Sequence, residues 1–350
     1  GTLALDIAFK ALSIGVGDEV IVTSRTFIAS ISSIINSGAK PIFVDVDPAS
    51  QNITPQNINS AITAKTKAIL CVHLAGWPCS MDEIMTIANH HDLFVIEDCA
   101  QAHGAKYKGK PVGSIGHIGC WSFCQDKIIT TGGEGGMVTT NDESLWRKMW
   151  AYKDHGKSYE AVYEREHPEG FRWLHESFGT NWRMLEMQAA IGRIQLKRMS
   201  EWTFIRNRNA AILTKVFLQF TGQNGLLRIP QLKCSSCPMS SSIKCDQGCV
   251  HAYYKFYAFV QPEALKGGWD RGRIISEINL EGVPCMQGSC SEVYLEKAFD
   301  NSDFLPNERL SVARELGETS LMFLVHPTLS EEEMYKIAEA AALVFNRAIA

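Results

Sequence analysis

A lysine in a glycine-rich loop is the most informative side chain of the sequence. Lys127 lies in WSFCQDKIITTGGEGG, residues 121–136, where an apolar strand pattern runs into a polar, glycine-rich stretch. A lysine that is partly withdrawn from water loses its proton more readily and can form a Schiff base with an aldehyde, which is how pyridoxal phosphate is attached to proteins. A solvated surface lysine is the commoner explanation for this chain position taken alone.

A carboxylate ends the apolar run of a second segment, LFVIEDCAQAHGA, residues 93–105. Asp98 would be buried at the end of a strand and would need a partner. Opposite a pyridine nitrogen it would keep that nitrogen protonated, so that the ring can withdraw electrons from a substrate. An aspartate that only caps the following turn fits the pattern equally well.

Gly1 and Thr2 stand at the start of an amphipathic helix pattern, LALDIAFKAL. Free N–H groups and the helix dipole favour a phosphate at such a place, and Ser122 could add a hydroxyl. A threonine that only caps the helix is the commoner alternative. The TTGGEGG glycines match neither the P-loop nor the dinucleotide-binding pattern, so ATP and dinucleotide sites are weak alternatives.

Composition narrows the class of protein. The 350 residues are 45% hydrophobic and 21% charged, as in soluble globular proteins, with a net charge of -4. No Lys/Arg run suits nucleic acid, and no apolar stretch reaches the roughly 18 to 20 residues of a membrane helix. The eleven cysteines are mostly single and in apolar segments, which favours reduced thiols and a cytoplasmic protein. Since the chain begins at Gly1 without Met, we expect the natural protein to have an upstream portion.

Strand and helix patterns alternate through the first half of the chain, which predicts an α/β fold with a mainly parallel sheet covered on both faces. Ligands of such sheets bind at the carboxyl ends of the strands, where Asp45, Asp98 and Lys127 should lie. A long helix is predicted over residues 181–199. We expect a large domain over residues 1–200 and a smaller α+β domain over 201–350. Strands are predicted at 19–22, 41–46, 67–72, 93–97, 120–123 and 136–139, and helices at 30–37, 54–62 and 81–90.

Seven segments, taken in order, resemble the nucleotide-sugar aminotransferases of the DegT/StrS family, which are fold-type I enzymes dependent on pyridoxal 5'-phosphate. Each segment is modest by itself, but seven in the right order are very specific. The segments are GTLAL, DEVIVTSRTFIAS, GAKPIFVDVD, VIEDCAQAHGA, WSFCQDKIITTGGEGGMV, NWRMLEMQAAIGRIQL and VHPTLSEEE.

The resemblance implies a role for each matching residue. Lys127 would form the Schiff base and shuttle the proton between the substrate and the cofactor. Asp98 would pair with the pyridine nitrogen. The other cofactor-binding residues would be Gln101 at the phenolic oxygen, Ala100 and Phe27 on the two ring faces, and Gly1, Thr2 and Ser122 at the phosphate.

Asn181 matches an asparagine that reaches the cofactor phosphate of the neighbouring subunit, so the resemblance implies a homodimer with shared active sites. Trp182 stands where relatives usually have Tyr. Arg183 would meet either the carboxylate of the donor or an acidic neighbour. Asp126 departs from the usual pattern, and an acid beside Lys127 favours the charged form of the lysine.

Several other side chains leave alternatives open. Cys234, Cys237, Cys245 and Cys249 have thiolate spacing that could hold a structural zinc, and a disulfide is a weaker alternative; free thiols in a surface loop are the simplest expectation. Tyr294 and His326 could line the substrate pocket, or could be structural.

The reaction implied is a transamination. Glutamate would supply the amino group, and the acceptor would be a nucleotide-linked keto-deoxysugar aminated at C3 or C4, for lipopolysaccharide, other surface glycans or antibiotic sugars. A sugar dehydratase on the same fold is one alternative, although that branch replaces the Schiff-base lysine with histidine. A regulator that binds the cofactor or the sugar nucleotide without turnover is another.

Overall fold

The computed structural model describes residues 1–230, 245 and 247–350. Helices and strands alternate over the first 98 residues, as the sequence predicts, and β5 to β8 then follow β4 without an intervening helix. The strands are β1 (Glu19–Thr23), β2 (Lys40–Val44), β3 (Thr66–Val72), β4 (Phe94–Asp98), β5 (Lys106–Tyr107), β6 (Lys110–Pro111), β7 (Ile118–Ser122), β8 (Gly136–Thr139), β9 (Leu227–Arg228), β10 (Phe256–Val260), β11 (Cys285–Met286) and β12 (Ser320–Phe323). The α-helices are α1 (Thr2–Ala11), α2 (Ile28–Ser37), α3 (Pro55–Ala61), α4 (Met81–His90), α5 (Glu143–Tyr152), α6 (Tyr159–Tyr163), α7 (Glu186–Lys197), α8 (Met199–Phe217), α9 (Arg271–Leu280), α10 (Ser311–Thr319) and α11 (Glu331–Ala348).

A six-stranded sheet forms the centre of the first half of the chain. Its order is β2-β1-β3-β4-β7-β8. The first five strands run parallel, and β8 runs antiparallel to β7. The residues of β3 and β4 are almost all buried, because helices cover both faces of the sheet. Side chains of α1, α2 and α5 belong to the core on one face, and those of α3 and α4 to the core on the other. The predicted mainly parallel α/β sheet is confirmed.

A smaller antiparallel sheet lies in the second half of the chain, with the order β11-β12-β10-β9. It packs against α8, α9 and α11 around aromatic residues such as Phe217, Phe323 and Phe345. Helix α8 contributes Met199 to a cluster with Cys99 and Phe123 of the first half, and its later residues to the second core. A domain boundary near residue 200 stays a prediction.

The helix predicted over residues 181–199 is wrong at its first five residues. The structure begins α7 at Glu186 and ends it at Lys197, and α8 then begins at Met199. The preceding segment is extended because it pairs with the end of α5: Asn181 forms a bridge to Asp154, and Trp182 N donates to Lys153 O at 2.9 Å. Tertiary pairing thus overrides the local helical pattern.

Across the residues that the structure describes, none of the helices combines the length and the apolar character that crossing a membrane requires.

Candidate active site

The carboxyl ends of neighbouring parallel strands bring the predicted residues to one rim of the large sheet. Asp98 is the last residue of β4, and Cys120 of β7 is its partner in the ladder. Ser122 ends β7 two residues further on, and Lys127 follows in the next loop. Parallel order alone therefore places the carboxylate, the hydroxyl and the lysine on the same side of the sheet.

The carboxylate of Asp98 is held by hydrogen bonds within the chain. Ser30 Oγ donates to Asp98 Oδ2 at 2.8 Å, and the backbone N–H of Ala100 donates to Oδ1 at 3.1 Å. Thr26 Oγ1 lies 2.8 Å from Ser30 Oγ, which extends the network to the start of α2. The side chain is almost completely buried, so its position is fixed before any ligand binds. The sequence reasoning missed Ser30, although it stands in the TFIAS motif.

Glu97 supports this strand end from the opposite face of β4. Its carboxylate accepts hydrogen bonds from the N–H groups of Gly113, Ile115 and Gly116 at 2.6 to 2.9 Å and contacts His73 Nε2 at 2.9 Å. Burial alone would raise the pKa of the Glu97 carboxyl, but the bonds from His73 and the backbone lower it. Glu97, His73 and Cys99 place ligand atoms within 4.8 Å of one another. Because Glu97 already accepts four contacts, we interpret the group as structural.

The start of α1 lies directly against the end of β7. A Cβ at Gly1 would come within 2.8 Å of Ser122 Cβ and 2.9 Å of Ser122 Oγ. Thr2 is the first residue of α1, and the first N–H groups of a helix have no acceptor within it. Two glycines keep this corner open, since a Cβ at Gly136 would lie 3.1 Å from Gly1 N. The helix N-terminus and a serine hydroxyl together suit a phosphate.

Three further predicted residues surround the same rim. Gln101 Oε1 accepts a hydrogen bond from Ala75 N at 2.7 Å, which leaves the Nε2 amide of Gln101 as the donor toward a ligand. Phe27, at the N-terminus of α2, is 69% exposed. Such an exposed aromatic ring can stack on another ring. Ala100 is half-buried beside Asp98.

Lys127 is held by an acid and a phenol. Its Nζ lies 3.2 Å from Asp126 Oδ2 and 3.4 Å from the hydroxyl of Tyr254, and its side chain is 17% exposed. Tyr254 also donates to Asp126 Oδ2 at 2.5 Å. Burial would raise the pKa of the Asp126 carboxyl, but the bond from Tyr254 and the charge of Lys127 lower it. Tyr254 was not predicted; the only signal was its place in the aromatic run HAYYKFYAFV.

Comparison with known proteins decides what this rim belongs to. The family model described as the DegT/DnrJ/EryC1/StrS aminotransferase family matches residues 1–342. The chain belongs to this family. The resemblance stated from the sequence is therefore confirmed.

Individual relatives agree with the family and extend over different shares of the chain. A solved aminotransferase from Psychrobacter cryohalolentis is 63% identical, with a TM-score of 0.93 over 99% of this chain and 85% of that one. A UDP-N-acetyl-3-dehydro-alpha-D-glucosamine 3-aminotransferase from Acidithiobacillus ferrooxidans is 45% identical over 338 residues, 97% of this chain and 80% of that protein. A GDP-perosamine synthase from Escherichia coli O157:H7 is 46% identical over 215 residues, 61% of this chain, and the chain spans 56% of its length. The predicted fold-type I architecture is confirmed by the solved neighbour.

Members of the DegT family work with pyridoxal phosphate, and the rim fits that group. Asp98 is a buried carboxylate with a fixed orientation, suited to a protonated ring nitrogen. The corner of Gly1, Thr2 and Ser122 is kept open by the absence of a Cβ at Gly1. Lys127 is partly exposed and lies in the loop that follows β7. The donor set therefore matches an aromatic cation, a phosphate and an aldehyde.

Residues Asn181 and Arg183 lie outside the protein core. Asn181 is exposed. Arg183 Nη1 forms an ion pair with Asp154 Oδ1, so the structure gives Arg183 the acidic neighbour that was one of the two predicted partners. A role for either residue in binding cofactor or substrate stays a prediction.

Tyr294, His326 and Asp45 lie in different surroundings. Tyr294 is 3% exposed, and its hydroxyl donates to Glu292 Oε1 at 2.6 Å and accepts from Leu310 N at 3.0 Å. A substrate contact by Tyr294 stays a prediction, and it would require these bonds to be released. His326 is exposed, and its Nδ1 lies 2.7 Å from Thr328 Oγ1. Asp45 accepts the N–H groups of Val312 and Ala313 at 2.9 Å and so caps α10.

The proposed zinc cysteines are only partly within the described residues. Cys234 and Cys237 lie outside them. Cys249 is buried, and its Sγ accepts a hydrogen bond from Lys108 N at 3.2 Å; Cys245 is half-buried. A zinc site at these four cysteines stays a prediction.

Proposed function

We propose that this chain is the main part of a pyridoxal-phosphate-dependent aminotransferase that transfers an amino group from glutamate to a nucleotide-linked keto-deoxysugar. The observation that carries this proposal is the gathering of Asp98, Ser122 and Lys127 at one rim of the sheet, next to the N-terminus of α1. The relatives named above support an acceptor that is a nucleotide sugar.

The chain's own residues would divide the work at this rim. The bound cofactor supplies an electron-withdrawing ring that makes the proton on the substrate carbon acidic. Lys127 would hold the cofactor and then accept and return that proton at Nζ. Asp98 would keep the ring nitrogen protonated, and the amide of Gln101 would donate to the phenolic oxygen. Thr2 and Ser122 would hold the phosphate, and Phe27 and Ala100 would enclose the ring.

Positive charge near His326 suits an anionic substrate. Burial lowers the pKa of His326, and the charges of Arg206 and Lys255 lower it further. Burial likewise lowers the pKa of Arg206 to about 10. The carboxylates of glutamate and the diphosphate of a nucleotide sugar are both ligands that such a region would attract. We propose amination at C3 or C4, with products for lipopolysaccharide or other surface glycans.

A second copy of the chain would complete the site. No residue of α7 is buried, and exposed apolar side chains occur along α7 and into α8. A group of large, exposed apolar side chains is typical of a surface where proteins associate. We propose a homodimer in which Asn181 contacts the partner's cofactor phosphate. The side chains of this α7 surface are Leu185 (60% exposed) just before α7, Met187 (71%), Ile191 (38%), Ile194 (58%) and Leu196 (64%) in α7, and Phe204 (71%) in α8.

The location proposed for the enzyme is the cytoplasm. Cys71, Cys99 and Cys120 are each buried, and none lies in a pattern typical of a disulfide scaffold, which suits a reducing compartment.

The first experiment is an absorbance spectrum of the purified protein supplied with pyridoxal phosphate, before and after L-glutamate, for wild type and Lys127→Ala. We expect a band at roughly 400 to 430 nm that moves to about 330 nm with glutamate in the wild type, and no lysine-linked band in the variant. Absence of the band in the wild type would end the cofactor assignment and favour the non-catalytic regulator. The protein is then incubated with UDP-, GDP- and dTDP-linked keto sugars after treatment with glutamate. Mass spectrometry of the products identifies the acceptor.

A further inference from the structure

One carboxylate oxygen beside Lys127 has two competing donors. Asp126 Oδ2 accepts the hydroxyl of Tyr254 at 2.5 Å and lies 3.2 Å from the Nζ of Lys127. The phenol oxygen in turn lies 3.4 Å from the same Nζ. The shorter of the two contacts to the carboxylate is the one from Tyr254, so the phenol is the better placed donor.

Tyr254 comes from the other half of the chain, and its backbone is held in place. Its N–H donates to Ala75 O at 2.9 Å, and the carbonyls of Tyr253 and Tyr254 accept from Arg206 Nη1 at 3.2 and 3.5 Å. The side chain is 8% exposed. The backbone position of Tyr254 is therefore set by contacts that do not involve Asp126.

We propose that Tyr254 is a positioning residue that donates to Asp126 Oδ2 and so weakens the ion pair that this carboxylate forms with Lys127 Nζ at 3.2 Å. The inference rests on the role of Lys127 proposed above. It accounts for an acid immediately before that lysine, which would otherwise hold the lysine nitrogen in its charged form and oppose proton transfer. With the phenol in place, Asp126 orients Lys127 but stabilises the charged form of its nitrogen less strongly.

The protonation states of Tyr254 and Asp126 agree with this geometry. Burial and the bond to Asp126 raise the pKa of the Tyr254 hydroxyl, so the phenol keeps its proton and remains a donor. Burial would raise the pKa of the Asp126 carboxyl, but the bond from Tyr254 and the charge of Lys127 lower it, so it remains an acceptor. The phenol–carboxylate bond therefore persists at neutral pH.

Other charged and titratable groups face this cluster from each neighbouring element. Lys255 Nζ lies 4.9 Å from the centre of the Tyr254 ring, on β10's side, and Lys127 Nζ lies 5.1 Å from the same ring. Burial and the charge of Lys127 lower the pKa of His103 to about 3, so this histidine is neutral at physiological pH. The remaining groups are Cys124 and Glu134 in the glycine-rich loop, Arg206 on α8, and Tyr257 on β10.

The test is a pH titration of the visible absorbance of the cofactor-loaded protein. In Tyr254→Phe the carboxylate loses its phenol donor and pairs more strongly with the lysine-linked nitrogen, so the titration midpoint should rise by about one pH unit. In Asp126→Asn it should fall by about one pH unit. In the double variant no carboxylate remains through which residue 254 could act, so the midpoint should equal that of Asp126→Asn. Tyr253→Phe is the matched control, because its ring stacks on His251 with 3.7 Å between the centroids and should leave the midpoint unchanged.

The outcomes separate this inference from the function on which it rests. A wild type that shows no lysine-linked band, or a Lys127→Ala variant that keeps it, overturns both. A normal band in the wild type whose midpoint does not move in Tyr254→Phe, or moves equally with and without Asp126, overturns the role of Tyr254 alone.

Discussion

The rim around Asp98 and the α7 surface differ in whether their side chains find partners within one chain. At the rim, both oxygens of Asp98 accept hydrogen bonds and the side chain is almost completely buried. On α7 no residue is buried, and Leu196 is 64% exposed. One region is complete in a single chain, whereas the other lacks cover for its apolar side chains.

This difference indicates which parts of the proposed site already have their binding orientation in a single chain. A buried, bonded carboxylate needs no rearrangement when a cofactor binds, so its orientation costs little at that moment. An exposed apolar face is stable only with a partner or at a cost in solubility. We infer that the chain alone prepares the cofactor rim, while the second copy is needed to close the site.

The largest effect is expected from Lys127→Ala, which removes the proposed covalent anchor and proton carrier from the rim. The rate of amino transfer should fall by about 10³-fold, the size of a lost general acid–base group. The measurement is kcat with glutamate and a sugar acceptor. Lys108→Ala is the control, since Lys108 forms an exposed ion pair with Asp82 and contacts none of the rim residues named above. Equal activity in the Lys127 variant would place the chemistry elsewhere.

Leu196→Glu tests whether α7 lies at the interface of the proposed dimer. A charge buried without a partner at an interface costs about 2 to 5 kcal/mol, so the dimer dissociation constant should rise roughly 30-fold or more. Sedimentation of the variant across a concentration series measures it. Leu280→Glu, at a leucine of α9 that is 82% exposed, should leave the assembly unchanged. A dimer that resists the charge on α7 would remove this helix from the interface.

Glu97→Gln weakens the support beneath the rim. The change should lower the free energy of unfolding by about 2 kcal/mol, because one of the two oxygens becomes an amide NH2 and the buried donors that faced it lose their acceptor. The folded pKa of Glu97 is lowered from 4.5, so its contribution is complete above that pH and is lost as the pH falls through the folded value. Urea unfolding at neutral pH and below pH 4.5 should therefore show a difference that shrinks in acid. The exposed Glu83→Gln is the control, and a constant difference at all pH values would contradict the account.

The smallest effect is expected from Ser30→Ala. One hydrogen bond to the Asp98 carboxylate is lost, so cofactor affinity should fall by about 1.5 kcal/mol, roughly tenfold. Fluorescence titration of the apoprotein with pyridoxal phosphate measures the change. Ser32→Ala removes a hydroxyl of the same helix that bonds only to backbone carbonyls, at 3.1 and 3.4 Å. The rim would not depend on Ser30 if the two variants bound cofactor equally.

Much of the large sheet could be read from the sequence, because strand and helix periods are local signals. The predicted β1 and β3 differ from the observed strands by one residue at one end, the predicted β4 is shifted by one residue, and the predicted α4 has the observed bounds. Once the sheet is parallel, Asp98 and Ser122 must end neighbouring strands at the same rim. The alternation of elements and the motifs on them thus determined the fold class and the main candidates for the site.

Only the tertiary structure decided which side chains meet. Ser30 reaches Asp98 across 68 residues, and Tyr254 reaches Asp126 across 128. Residues 181–185 are not helical, since Asn181 and Trp182 pair with Asp154 and Lys153, just after α5. Tyr294, a candidate for the substrate pocket, packs in the core against Phe43, with ring centroids 5.6 Å apart. Such contacts depend on how distant segments pack, and a local sequence pattern does not indicate which distant segment it will contact.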